Sequence, residues 1–293
     1  MNYIKFVSLN KISLKKFLKE KSISIRAYKE LIKDGILVNE DLVYKNINIK
    51  KNDIVKIKIA EEDYDYKPVK GPLDIVYEDD NLLVINKDYG ITVNSNNQTS
   101  LANHIAYYFK KSEIKAKIRL INRLDMNTSG LIMIAKNKYS QAYYQKQIEE
   151  NLLTKKYLAY VEGDYNINRL YKINLAYDKN KKFYLNDEDG KLAITYFKTL
   201  DVRNGYSIIE CDIKTGKTHQ IRASLCELGH PIIGDILYGS KHELERFLLH
   251  SYYLSFKEFI SGESIILERY PNFKLFLENL WKYFSWKNVE NIL

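Results

Sequence analysis

Apolar positions recur at helical spacing early in the chain. In SLKKFLKEK, residues 13–21, Leu14, Phe17 and Leu18 share one face, while Lys15, Lys16 and Lys19 lie off it. Ser24 is placed to cap a second helix that Asp34-Gly35 would end. Val55, Ile57 and Ile59 then alternate with Lys56 and Lys58, which predicts a half-buried strand. From residue 73 the pattern changes. DIVYEDDNLLVINK predicts two strands around an Asp79-Asp80-Asn81 turn, Leu101, Ile105 and Tyr108 fit one helix face, and 138–150 predicts a further helix. KKYLAYVEG, Lys155 to Gly163, alternates Tyr157, Ala159 and Val161 as a strand, and Tyr206 to Ile213 is another. Thr218 to Leu228 predicts a helix stopped by Gly229 that buries Ile221, Leu225 and Leu228, and Leu277, Leu280, Trp281 and Phe284 predict a last amphipathic helix. Strands and helices mix without strict alternation, so the expected class is α+β rather than a doubly wound sheet.

Composition divides this pattern into parts. Residues 61–72, EEDYDYKPVKGP, read as a linker between a small module (1–60) and a larger domain (73–293). Hydrophobic residues are 45% and charged residues 28% of the chain, the balance of a soluble globular protein. No apolar run approaches the ~20 residues that span a bilayer, and the N-terminus lacks a signal-peptide core, so a cytoplasmic location is expected. Cys211 and Cys226 read as small core residues, with no disulfide framework and no zinc pair. The first 60 residues hold 14 Lys/Arg against 6 Asp/Glu, so nearly all of the net +9 charge lies in the first fifth of the chain. That distribution fits a nucleic-acid handle; a lysine-rich solvated face is the plain alternative.

Two segments carry candidate chemistry. NRLDMNTSGLIMIAKN, residues 122–137, puts Asp125 directly after Arg123-Leu124 and ahead of a polar turn, Asn127-Thr128-Ser129-Gly130, with an apolar run from Leu131 to Ala135 behind it. A neighbouring guanidinium favours the charged form of a carboxylate. Glycine at the end of the turn suits a loop that presents this charge at the edge of a sheet. Spacing alone fits equally a surface Arg/Asp pair in a tight turn. IKTGKTHQIRASLCELGHPIIGD, residues 213–235, is the second segment. Together RLD, TSGL, THQIR and GHPI-GD, in order and far apart, resemble the RluA-type family of RNA pseudouridine synthases, and several such runs are far more specific than one short motif. The N-terminal pattern of two short helices, GILVN and a strand after NDIV resembles the S-four RNA-binding domain.

The resemblance implies a mixed or antiparallel-sheet pseudouridine synthase catalytic domain, α+β, preceded by a small basic α/β S-four-like module. It implies an isomerase that breaks the uridine C1′–N1 bond, turns the base and rejoins it through C5. The reaction is redox-neutral, so neither cofactor nor metal is expected. Cleavage builds positive charge on the sugar, which one carboxylate can meet because the departing base is also the incoming nucleophile. On the family pattern that carboxylate is Asp125. Arg222 would pair with it, a bidentate guanidinium holding it better than a lysine. Tyr157 would pack on the uracil; a free tyrosine has a pKa of ~10, so a role as base would need help from its surroundings. Arg123 would help extrude the target nucleotide. Thr128, Lys155, Lys217 and His219 are further substrate-contact candidates. Lys15, Lys16, Lys19, Arg26, Lys29 and Lys33 would meet RNA phosphates, which give affinity and register. The partner is therefore RNA, large-subunit ribosomal RNA first, with transfer RNA as alternative; a non-catalytic RNA-binding or ribosome-assembly factor with a decayed site is the rival class. No membrane partner is expected. Asn122 stands where the family usually has His, Lys217 where Arg is usual, Asp88 follows Lys87 where Pro is frequent, and Asn94 sits where His is common. Gly216-Lys217-Thr218 is no P-loop, since position 211 is Cys211, and His219 and His230 read as structural rather than metal ligands.

Overall fold

Serines open both N-terminal helices. In the computed structural model, which describes residues 2–95, 97–203 and 205–273, the Ser13 and Ser24 hydroxyls accept the backbone N–H groups of Lys16 (3.4 Å) and Ala27 (3.1 Å), each satisfying one orphan donor of a helix start. The module runs β1 (Asn2–Val7), β2 (Ile12–Ser13), α1 (Leu14–Glu20), α2 (Ile25–Asp34), β3 (Ile36–Val38), β4 (Asp41–Val43), β5 (Asn48–Ile49) and β6 (Ile54–Ile59). Its main sheet has the order β1-β6-β3-β4, all antiparallel, and β2 pairs β5. Leu14, Phe17, Leu18, Tyr28 and Leu31 of the helices pack with Val55 and Ile57 of β6, so period-3.6 and period-2 apolar faces meet in one core.

The module is not a free bead on a string. Phe6 is fully buried and its ring meets Phe259 of the larger domain edge-on at 5.4 Å, and Lys21 Nζ donates to the Ile260 carbonyl at 2.9 Å. Residues 61–72 contain no helix or strand, but they are tied down: Glu62 pairs with Arg119, Glu61 with Lys115, and Asp65 accepts the Ile118 N–H. The composition of a linker here belongs to a strap bound along the larger domain.

That domain continues with β7 (Asp74–Glu78), β8 (Leu82–Lys87), α3 (Leu101–Lys111), β9 (Arg119–Leu120), β10 (Ser129–Ala135), α4 (Lys138–Glu149), β11 (Thr154–Glu162), β12 (Asn168–Asp178), β13 (Phe183–Asn186), β14 (Lys191–Arg203), β15 (Tyr206–Ile213), α5 (Gln220–Glu227), a short 3-10 turn (Ile236–Tyr238), β16 (Leu249–Lys257) and β17 (Ser264–Glu268). One sheet takes the order β13-β12-β14-β15-β11-β16-β10-β8-β7, with β17 on β16 and β9 on β10. β10 pairs parallel with β16 and antiparallel with β8, which makes the sheet mixed. β10 is buried along its whole length and apolar from Leu131 to Ala135, because both its faces are covered. Ile132 and Ile134 join Leu83 and Ile85 against α3. Leu131 and Met133 join Leu82 and Val84 on the face that holds Tyr139 and Tyr144 of α4.

Several expectations shift. β10 is an interior strand, third from the β7 edge, so the Asp125 turn stands at the end of an interior strand rather than on an edge strand. The helix expected from Thr218 begins at Gln220, because His219 has left-handed angles (φ 55°, ψ 18°) that no helix continues through. Leu228 and Cys226 are half-buried, not core, whereas Cys211 is fully buried. Tyr108 is half-buried and bonds Glu78 through its hydroxyl at 2.6 Å. The helix expected around Leu277, Leu280, Trp281 and Phe284 lies outside the described residues.

Candidate active site

The Asp125 loop is shaped from beneath. Thr128 N–H donates to the Asp125 carbonyl at 3.1 Å and closes the turn. Gly130 follows with φ 113°, and a Cβ there would lie 2.2 Å from the Ser251 carbonyl oxygen on β16. Only glycine lets the two strands approach so closely. Asn122, where the family pattern has His, is buried and bridges backbone: its Oδ1 accepts the Met133 N–H at 2.8 Å and its Nδ2 donates to the Leu131 carbonyl at 3.4 Å. Lys87 supports the loop from below. It is 1% exposed, and Nζ donates to the carbonyls of Asp88, Ile91 and Met126 at 2.7, 2.9 and 3.0 Å. Burial, reinforced by the charge of Arg246, presses its pKa down to about 7.

The second wall comes from the 214–222 segment. Gln220 is buried and uses its whole carboxamide. Oε1 accepts from Thr215 Oγ1 (2.7 Å) and Lys217 N (3.0 Å), and Nε2 donates to the Ile194 carbonyl and Thr195 Oγ1, both at 2.9 Å. These four bonds pin the loop before α5 to β14 and aim His219 and Arg222 at Asp125.

Between the walls lies a small open cleft of about 70 Å³. Arg123, Asp125, Thr128, Tyr157, Lys217, His219 and Arg222 all line it, with Leu124, Ile221 and Leu249 as apolar floor. The chain thus brings together residues up to 99 positions apart in the sequence, from Arg123 to Arg222. Arg222 Nη1 donates to Asp125 Oδ2 at 3.2 Å. Its fork, however, does not go to Asp125. Nε and Nη2 grip Asp235 Oδ2 and Oδ1 at 2.7 and 2.8 Å. The guanidinium is also stacked between Phe247 (4.3 Å) and Tyr238 (4.9 Å). Burial works against the Arg222 charge, but the bonds and charge of Asp235 prevail and its pKa is raised. One guanidinium therefore serves two carboxylates. Asp235 is buried and saturated; Asp125 has a side chain 30% exposed and, among the described residues, an Oδ1 with no hydrogen-bond partner. That oxygen is available to a ligand in the cleft.

Tyr157 is buried beside this pair. Burial pushes its hydroxyl far above the ordinary tyrosine value, and the Asp125 charge adds to that. It stays protonated near neutrality, so its surroundings give no help toward acting as a base. Lys155, expected to touch substrate, does not line the cleft; it is 7% exposed on β11 opposite Leu254, two residues along the strand from Tyr157 on the same face and outside the cleft. Arg123 and Lys217 are exposed at the rim. Lys15, Lys16, Lys19, Arg26, Lys29 and Lys33 are all exposed on the module helices, with Arg26 paired to Glu30 at 3.3 Å. Sequence reasoning gave no role to Asp235, Tyr238, Gln220 or Lys87. The signal for Asp235 was present, an acidic residue closing the quoted GHPIIGD run.

Comparison with known proteins agrees with this geometry. A family model described as RNA pseudouridylate synthase matches residues 81–227. The chain is 35% identical to an uncharacterized RNA pseudouridine synthase of Bacillus subtilis, YhcT, over 89% of this chain and 91% of that protein. It is 33% identical to ribosomal large subunit pseudouridine synthase D of Borreliella burgdorferi, over 79% of this chain and 77% of that protein. Among solved structures, human RNA pseudouridylate synthase domain containing 1 superposes with a TM-score of 0.59 at 25% identity, covering 69% of this chain and 84% of that one.

Proposed function

We propose that this chain, which belongs to the RNA pseudouridylate synthase family and is an isomerase acting on RNA, takes its target uridine in large-subunit ribosomal RNA. The observation that carries the reading is Asp125 itself: an acid held at one oxygen by Arg222, with the other oxygen facing a cleft that Tyr157 borders. A carboxylate in that position meets the charge that develops at C1′ when the glycosidic bond breaks. Arg222 orients it and is itself fixed by Asp235. Tyr157 borders the cleft beside the base with its hydroxyl protonated, and Arg123, exposed at the rim, is placed to fill the stack that the everted nucleotide leaves.

The ribosomal substrate is supported by relatives named for the large subunit and by the basic module, which we read as S-four-like and as a phosphate-contacting surface. A cytoplasmic location goes with that substrate reading and is part of the proposal. The test uses unmodified transcripts of large-subunit ribosomal RNA and of transfer RNAs, incubated with the protein and mapped for pseudouridine. Modification confined to the transfer RNAs would overturn the substrate assignment. The module is tested by neutralising Lys15, Lys16, Lys19, Arg26, Lys29 and Lys33, not by deletion, which would strip Phe6 from Phe259. The slope of log affinity against log salt should flatten by about 0.7 for each lost phosphate contact. An unchanged slope would remove the module from RNA binding.

A further inference from the structure

His219 stands out because its backbone is strained and its side chain is not idle. Left-handed angles are unfavourable for a residue with a Cβ, and His219 holds them at φ 55°, ψ 18°. Such strain persists only where surrounding contacts hold it, here the four bonds of the adjacent Gln220. The result is an imidazole that lines the cleft with Nε2 3.9 Å from Asp125 Oδ2.

Its tautomer follows from its partner. Tyr238 is 3% exposed, and its hydroxyl oxygen accepts the Tyr184 N–H at 3.1 Å. The other polar partner of that hydroxyl is His219 Nδ1, at 3.0 Å. A buried hydroxyl that already accepts must still place its own proton. Burial keeps the Tyr238 hydroxyl protonated well above neutrality, so it donates to Nδ1. The neutral ring then carries its proton on Nε2, the nitrogen that faces the cleft. Burial first, and the Arg222 charge second, also lower the His219 pKa, which keeps the ring neutral.

We propose that His219, through this Nε2–H, donates a hydrogen bond to a carbonyl oxygen of the departing uracil. The inference rests on the synthase reading and deepens it. When C1′–N1 breaks, its electron pair leaves with the base, and the negative charge spreads over N1 and the two carbonyl oxygens. Asp125 supports the positive sugar; beyond the Tyr157 hydroxyl, no group assigned so far supports the negative base. A preorganised donor beside the bond is worth most when that charge is greatest. After the base turns, C5 bonds to C1′, C5 loses its proton and N1 gains one, so the donor needs only to hold the anion in between. Tyr238 is the positioning residue that fixes which nitrogen donates.

The experiment is a single-turnover measurement with the full chain in saturating excess over the RNA, following loss of the target nucleoside. Two substrates are compared, uridine and 5-fluorouridine, whose fluorine makes the base a less basic leaving group. The variant is His219→Gly, which accepts φ 55° and removes the donor. The rate on uridine should fall about 100-fold, the fall on 5-fluorouridine should be several-fold smaller, and added imidazole should restore part of the uridine rate. RNA affinity should stay unchanged. Equal losses on both substrates, an unchanged rate, or a loss confined to affinity would overturn the proposal. A wild-type protein that consumes neither nucleoside would instead sink the synthase reading beneath it.

Discussion

Breaking the Arg222–Asp235 pair should cost both stability and activity, and the two costs separate. Both side chains are almost fully buried, at 6% and 2% exposure, and two charge-assisted bonds of 2.7 and 2.8 Å join them. Removing one member of such a pair strands the other charge, at about 3–5 kcal/mol. Asp235→Ala should fall at the lower end, because Asp125 stands 3.2 Å from Nη1 and can take the freed fork. That rescue occupies the oxygen the cleft needs, so activity should fall more than stability suggests. Arg222→Met should fall at the upper end, since it leaves Asp235 buried without a cation. The double variant carries no stranded charge, and the two single costs should exceed the double by about 2 kcal/mol or more. Urea unfolding of the four proteins, with a constant m-value, reads all three numbers. Additivity within ~0.5 kcal/mol would show that the pair is not coupled and would refute the argument.

Further expectations are more local. Gly130→Ala should cost about 3 kcal/mol or more, from positive φ and a 2.2 Å clash with the Ser251 backbone, while Gly229→Ala, also at positive φ but with nothing within 4 Å of its Cβ, should cost about 1 kcal/mol; equal costs by urea unfolding would remove the strand-approach argument. His250 is buried between the Ser129 hydroxyl (2.7 Å) and the Arg269 carbonyl (2.8 Å), and burial lowers its pKa to about 4. The unfolded chain binds a proton near pH 6.5 that the folded one refuses, so stability should decline as pH falls from about 6.5 toward 4, and His250→Gln should flatten that decline; an identical pH profile in both proteins would contradict this. Arg123→Ala should leave stability within ~0.5 kcal/mol, since the side chain is exposed and, among the described residues, bonds nothing, yet slow single-turnover modification; an undiminished rate would take Arg123 out of nucleotide extrusion.

Local pattern made much of the fold legible. Ser13, Ser24 and the alternation at Val55, Ile57 and Ile59 specify elements whose partners are near in sequence, and those elements stand where the pattern puts them. The long strands β12 and β14 are not legible in the sequence because about half of their residues face solvent and several of these, Leu170, Tyr177, Leu192, Leu200 and Val202, are themselves apolar, so apolar positions do not mark one buried face. The start of α5 is not legible in the sequence, since Thr218 and His219 have ordinary helix-boundary chemistry; only the tertiary bonds of Gln220 reveal the left-handed break. At the site, resemblance named Asp125, Tyr157 and Arg222, and the fold brings all three to one cleft. It did not reveal that the arginine's fork belongs to Asp235, because a bidentate pair 13 positions apart has no spacing signature. Lys155 shares a strand face with Tyr157 two residues on and so reads as a contact, but the cleft ends at Tyr157 and the lysine is buried beyond it.

Asp125→Asn tests the central claim most directly. The substitution keeps the shape of the side chain, and its parent makes a single 3.2 Å bond to Arg222, so fold and RNA affinity should persist. Pseudouridine formation on large-subunit ribosomal RNA, measured in a single turnover at saturating enzyme, should drop by at least ~1,000-fold. A variant that binds the RNA and modifies it within tenfold of the parent, roughly 1.4 kcal/mol in barrier, would contradict a carboxylate at the anomeric carbon.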